Sequence, residues 1–259
     1  PVSARNVEVV ALGRPAVRVP IQGNETISDV LSKAGVRSNN VMADGRRANL
    51  NDSIGKSKVL NAVPNVKGGF IIRLFSPIIK ILTEVDLPDI PEEPIQSEQY
   101  QGKVYVLEDA YMKMHYYTKY QKKEVGGLLK VEYNGKDWII LDAALLPQTA
   151  SSAYFELDQG KLNTFVQSIP TDEVHLWKGW WHSHVNMGVF WSQTDLDCFN
   201  DLNGVMGDVI GIVMNKKRES RTSIIQKNVF YDSEFEIINP ESEEFYQAML
   251  KINVKNRWF

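Results

Sequence analysis

Cysteine is almost missing from this chain of 259 residues: Cys198 stands alone. A single cysteine excludes an internal disulfide and any zinc module built from cysteine clusters, and it suits a reducing compartment; its simplest role is that of a small buried hydrophobe. Positive charge is not in excess either. Against 32 Asp and Glu stand 29 Lys and Arg, a formal charge of -3, and without a basic stripe nucleic acid is not an expected partner. Long apolar runs are lacking too. The most apolar stretch, 70–82, is interrupted by Arg73, Pro77 and Lys80 and falls short of the roughly 20 residues a membrane-spanning helix needs. Pro1-Val2-Ser3-Ala4-Arg5 has no basic segment running into an apolar one, so no secretory signal and a cytoplasmic location are expected. Internal repeats and low-complexity tracts are absent.

What is present reads as folded protein. Hydrophobic residues make up 43% and charged residues 24%, and the length suits two modest domains, each with its own core. In the first quarter, Val7 to Leu12 and Ala16 to Ile21 form a hairpin about Gly13-Arg14-Pro15. Thr26 or Ser28 can cap a short helix through Val30, Leu31 and Ala34, closed by Gly35. Val41 to Ala43 and Val59 to Val63 are further strands, with a turn at Asp44-Gly45-Arg46. The apolar segment 70–82 and the proline- and acid-rich stretch that follows (Glu84 to Pro94) form a linker to about residue 102.

From Lys103 to the end the pattern alternates. Val104 to Tyr120 passes from an apolar start into a helix; Val125 to Tyr133 and Trp138 to Leu146 pair about Asn134-Gly135. A helix over Asp158 to Ser168, a strand over Leu176 to His184, a helix over Ser192 to Leu202 and a buried strand over Val209 to Met214 follow. Strands around Thr222 to Phe230 and a helix from Glu241 to about Ile252 finish an α/β arrangement.

One segment carries chemistry. His182 and His184 lie two apart, so on a strand both imidazoles project from one face. Asp195 can return to that face after a short turn. Two imidazoles and a carboxylate suit Zn²⁺, and three protein ligands leave a fourth position for water. A carboxylate beyond the ligands must then move the proton, and Glu124 stands at the start of a neighbouring strand. Taken singly, each feature has a plainer explanation. Ser192-Gln193-Thr194-Asp195 alone is a helix N-cap with an acidic third position. An isolated histidine pair is more often structural, as His115 and His175 are expected to be. Trp180, Trp181 and Trp191 are expected to pack around the site, Trp191 bordering the groove.

Together, Glu124, His182, His184, Ser192 and Asp195, in that order and at that spacing, resemble the signature of the JAMM (MPN-plus) zinc metalloproteases. The resemblance runs from about residue 103 to at least 215, and Val185, in place of the proline common after the second histidine, points to a prokaryotic or phage-like branch. It implies a cytidine-deaminase-like α/β fold for residues 103–259, one catalytic Zn²⁺ on His182, His184 and Asp195, Glu124 as general acid/base and Ser192 as oxyanion stabiliser. No long insertion of the kind that selects polyubiquitin linkage is seen between Trp138 and Asp195.

The element order of residues 1–69, with its Gly68-Gly69 end, resembles the β-grasp of ubiquitin-like proteins, so an α+β chain of two domains is expected. Glycine lets an extended tail enter a narrow cleft, and Gly68-Gly69-Phe70 has the form of a modifier still joined to its precursor. The resemblance implies a deubiquitinase-like peptidase cutting after Gly69, with a ubiquitin-like protein as partner, its own domain or a conjugate, and leaves room for activating or conjugating enzymes as further partners. The competing expectation is a non-catalytic scaffold of phage-tail type in which the diglycine is only a hinge.

Overall fold

A computed structural model describes residues 5–69, 97–243 and 245. Phe70, the apolar segment 70–82, the acid-rich stretch after it and most of the helix expected over 241–252 lie outside the described residues. The architecture is mixed α and β.

Residues 5–62 form a five-stranded sheet with one helix. Strand β1 (Arg5–Ala11) runs antiparallel to β2 (Val17–Ile21), with Val7 opposite Val19. Helix α1 (Ile27–Lys33) is capped by Thr26, whose hydroxyl accepts from the Asp29 N–H while the Asp29 carboxylate accepts from the Thr26 N–H. It ends at Gly35, with φ +68, the left-handed residue that closes a helix without a β-carbon clash. Strands β3 (Val41–Ala43) and β4 (Arg46–Ala48) form a hairpin about Asp44-Gly45; of β4, the sequence suggests only Arg46, as part of the turn, and no element for Arg47 and Ala48. Strand β5 (Val59–Ala62) inserts parallel to β1, giving the order β2-β1-β5-β3-β4. Alternate residues of β1 point inward, so Val7 and Val9 meet Ile27, Val30, Leu31 and Leu60 in one core.

After β6 (Lys67–Gly69), the second body begins earlier than the linker boundary expected: β7 (Glu98–Gln99) already pairs with its sheet. There follow β8 (Val104–Leu107), α2 (Glu108–Tyr120), β9 (Gly126–Tyr133), β10 (Trp138–Leu145), β11 (Gln148–Ala150), β12 (Tyr154–Leu157) and α3 (Gln159–Ser168). Then come β13 (Gly179–Ser183), α4 (Gln193–Met206), β14 (Val209–Met214), β15 (Ser220–Gln226), β16 (Val229–Ser233) and β17 (Phe235–Ile238). Residues 174–176 make a 3-10 turn, so the strand expected from Leu176 starts only at Gly179. Helix α4 runs past Leu202 to Met206. The expected pairing of β9 with β10 is present, Tyr133 opposite Trp138.

The main sheet has the order β17-β8-β10-β9-β13-β14-β15-β16-β7. Its middle strands β13 and β14 are buried at every residue, because layers cover both faces. Period-two alternation therefore divides the tryptophans of β13. Trp181 joins the core under α2, and Trp180 joins the core under α4. Cys198 is fully buried there, the apolar role expected of it, and burial pushes its thiol pKa up. No described helix is long and apolar enough to cross a membrane.

A third, small sheet joins the two bodies. In the order β11-β12-β6, the tail Lys67–Gly69 is the outer strand of a hairpin that belongs to the second body, with Gly69 opposite Tyr154 and Gly68 opposite Phe155.

A buried candidate metal centre facing the diglycine

The two histidines reach the site by strand geometry. His182 lies in β13, and His184, one step beyond its end, continues the ladder by donating its N–H to Met214 O at 2.8 Å. Their side chains share the face that carries Trp180. His182 stacks on Trp180, centroids 4.8 Å apart and 13° from parallel, with Phe155 and Trp191 at 5.7 Å. Trp181 projects the other way, its Nε1 donating to Ala144 O at 3.3 Å. Trp191 is buried and anchored by donation to Ser223 Oγ at 2.7 Å.

Asp195 arrives by helix capping. Ser192 is the N-cap of α4: its hydroxyl accepts from the Asp195 N–H at 3.2 Å, and Asp195 Oδ2 accepts from the Ser192 N–H at 2.8 Å. The cap fixes the carboxylate against the histidines. His182 Nε2 lies 3.3 Å from Asp195 Oδ1, His184 Nε2 lies 3.8 Å from Oδ2, and the three candidate ligand atoms all fall within 4.8 Å of one another. Both rings are buried, and beyond these approaches to Asp195 neither Nε2 makes a well-directed hydrogen bond. Buried imidazole nitrogens need partners, and an ion bound between these residues would supply one to each Nε2. Around a tetrahedral Zn²⁺ with ligands near 2.0 Å, neighbouring donors would be spaced by about 3.3 Å. These three residues are close enough to hold a metal ion, and their donor set fits zinc.

The electrostatics agree with that role. Burial lowers the His182 pKa, outweighing Asp195, and so favours the neutral ring that can ligate. His184 is raised: burial works against the charged ring, but Asp195, Gly188 O and Glu124 prevail. Its Nδ1 lies 2.8 Å from Gly188 O, an outer contact that orients Nε2 inward. Burial would raise Asp195, yet the two imidazoles and the Gly69 N–H hold its carboxyl well below the usual range.

Glu124 precedes β9, and its stretch of backbone is tied down at three consecutive N–H groups. Glu124 N–H donates to Ser151 O at 2.8 Å, Val125 N–H to Ser183 Oγ at 3.0 Å, and Gly126 N–H to Gln148 Oε1 at 2.9 Å. The Glu124 side chain is fully buried and neither oxygen has a partner. Burial pushes its pKa up to about 8, with His184 opposing and Asp195 reinforcing.

The diglycine enters this same site. Gly69 N–H donates to Asp195 Oδ1 at 2.9 Å, and Gly69 O lies 2.8 Å from Ser192 Oγ as acceptor. Ser192 Oγ is also 2.7 Å from Asp195 Oδ2; with one proton, the hydroxyl serves one acceptor at a time. Space is as tight as the bonding. Gly69 has φ +96, and a β-carbon on it would lie 2.1 Å from Glu124 Oε2 and 2.4 Å from Ala153 O. On Gly68 a β-carbon would sit 2.6 Å from Phe155 and 2.8 Å from Asp195 Oδ1.

The structure thus brings Glu124, His182, His184, Ser192, Asp195, Gly68 and Gly69 together. His115 and His175 stand apart from the described metal-capable group, His115 buried in α2 and stacked on Tyr111. Sequence reasoning missed the β11–β12 hairpin, with Ala153 and Phe155 at the tail. Its only signal was the alternation Tyr154-Phe155-Glu156-Leu157, with two buried residues out of step with two more exposed ones. No family model and no curated protein matches the chain.

Proposed function

We propose that the chain is a zinc-dependent peptidase of the JAMM type that hydrolyses the bond after Gly69 of its own ubiquitin-like domain, and removes similarly ended proteins from conjugates. The observation that carries this reading is the seating of Gly69, with its carbonyl oxygen at Ser192 Oγ and its N–H on Asp195. An acyl group held at both ends has its orientation fixed before reaction. The strand order of the first sheet supports the β-grasp expectation, and the convergence of Glu124, His182, His184, Ser192 and Asp195 supports the JAMM resemblance.

Within this reading Ser192 donates to the Gly69 carbonyl oxygen as charge grows on it. Glu124, beside Gly69 with free oxygens, takes the proton from the attacking water and delivers it to the amine that leaves. A zinc ion on His182, His184 and Asp195 would supply polarisation of that water, and its charge would counter the burial that lifts Glu124. Phe155, Ala153 and Trp180 close around the tail and exclude side chains from both positions.

The test is intact mass after incubation of the zinc-loaded chain beside Glu124→Gln. A cut between Gly69 and Phe70 in the active protein alone is expected. An uncut chain in both, or equal cutting in both, sinks the reading and favours the scaffold.

A further inference from the structure

The N-terminal domain does not touch the second body through its tail alone. Gly13, with φ +76, donates its N–H to Val174 O at 3.0 Å, and a β-carbon there would lie 2.7 Å from Met206 Cβ. Arg37 N–H donates to Gly204 O at 3.0 Å, and a β-carbon on Gly204 would be 3.1 Å from Arg37 O. Main chain thus lies directly against main chain along α4. Leu12, Val63 and Val66 share one core with Trp177, Leu202 and Met206, while Val205 packs into the core of the N-terminal sheet. Leu157 N–H donates to Val66 O at 2.9 Å, next to the β12–β6 pairing.

Every one of these contacts belongs to residues on the acyl side of Gly69. Hydrolysis joins the water oxygen to the Gly69 carbonyl carbon, breaks the bond to the Phe70 nitrogen and moves a proton to that amine. None of the contacts above is lost in the process. Separation would expose a shared apolar core and several buried backbone groups at once, as in an obligate interface.

We propose that this chain's own domain, residues 5–69, stays seated after the cut as a held product, so that any second diglycine-ended protein reaches the site only by displacing it. This rests on the reading that the site hydrolyses the bond after Gly69. The occupant is unambiguous, because the cradle on α4 and β12 is already filled to van der Waals contact by this domain. What changes on cutting is the tether, which supplies an effective concentration on the order of millimolar; the interface must then hold unaided.

The hold can be tested without the chain's own activity. In full-length Glu124→Gln, part of the segment 74–90 is replaced by the recognition sequence of a foreign site-specific protease. The zinc-loaded protein is cut with that protease and followed by native mass spectrometry and gel filtration at micromolar concentration. The two pieces are expected to migrate as one complex; separate migration overturns the proposal. Gly204→Leu, which wedges a side chain under Arg37 from within a helix, is expected to release the fragment, and Gly13→Val offers the same wedge from the other side. If both wedged proteins are folded and retain their fragments as tightly as the parent, the docking face is wrongly assigned and the proposal fails.

A second readout uses the chain with Glu124 intact, cut in the same way, acting on a fluorogenic peptide ending in Gly-Gly. Gly204→Leu should act faster than the parent by about tenfold, since the competent fraction rises as the occupant leaves. An equal rate in parent and wedged protein overturns the proposal. If neither acts, and both match Glu124→Gln, the peptidase reading fails instead, and co-migration alone decides the docking.

Discussion

Two helices of this chain begin with the same device. At α1, Thr26 and Asp29 exchange hydrogen bonds of 3.2 and 2.9 Å; at α4, Ser192 and Asp195 exchange bonds of 3.2 and 2.8 Å. Even the hydroxyl-to-carboxylate distances agree, 2.8 and 2.7 Å. Yet the first pair only starts a helix, while the second faces two histidines and the diglycine. The difference lies in surroundings. Asp29 is solvent-exposed, whereas Asp195 is wholly buried, with His182 beside Oδ1, the oxygen outside the cap, and His184 beside Oδ2, the oxygen the cap also uses. A local motif sets a side chain's direction, and tertiary placement decides whether that direction has a use.

The sharpest way to break the comparison is to neutralise each carboxylate. Asp195→Asn is expected to abolish zinc retention, measured by elemental analysis of the purified protein, and to reduce cleavage after Gly69 to an undetectable level. Asp29→Asn should leave both at the parent level. Zinc bound by Asp195→Asn at parent stoichiometry would remove Asp195 from the ligand set.

Next are the hydroxyls. Ser192→Ala and Thr26→Ala should each cost about 1 kcal/mol of unfolding free energy for the lost cap, measured by urea titration. Only Ser192→Ala should also slow hydrolysis, by about 10²–10³-fold. Equal rates in the two variants would reduce Ser192 to a cap.

Two left-handed glycines extend the comparison. Gly35 ends α1 with φ +68 and has only Arg14 Nη1, at 3.7 Å, near the place a β-carbon would take, while Gly69 has φ +96 and Glu124 and Ala153 against it. Gly35→Ala should therefore cost about 1 kcal/mol of stability with unchanged cutting. Gly69→Ala should lose about a hundredfold in cutting rate through misplacement of the carbonyl, followed by intact mass over time.

The smallest effect concerns pH. The Thr26 backbone and side-chain hydrogen bonds hold the Asp29 pKa below its ordinary 3.8. A depressed carboxyl contributes stability above its unfolded value and loses it as pH falls through the folded one. The melting-temperature gap between the parent and Asp29→Asn should thus be present at pH 5 and shrink toward pH 2.5.

Much of the site was legible because its residues are tied to regular spacing. His182 and His184 share a face through the period of a strand, and Ser192 and Asp195 through the first turn of a helix. The hairpin at 148–157 was harder to see, since three- and four-residue strands have little periodicity and are stabilised by what pairs with them, here Gly68 and Gly69. The docking of Leu12, Val63 and Val66 on α4 is equally non-local. Val185 carries another lesson. Read only as a substitute for proline, it has φ +45 in the structure, a backbone that proline, locked near -65°, cannot enter. The turn after His184 is pinned by Lys216 N–H donating to Val185 O at 2.8 Å.

The channel around Gly68 and Gly69 acts as a gauge of chain thickness. Phe155, Ala153, Trp180 and Glu124 leave room for a backbone and nothing more, and the pairing with β12 uses main-chain groups that every residue possesses. The gauge reads only the tail, while the body of the preceding domain is held by its separate docking face on α4. Upstream surface positions off the docking face of Gly13, Arg37, Val63 and Val66 can drift, exchange or be redesigned, provided that the last two residues keep their narrow profile.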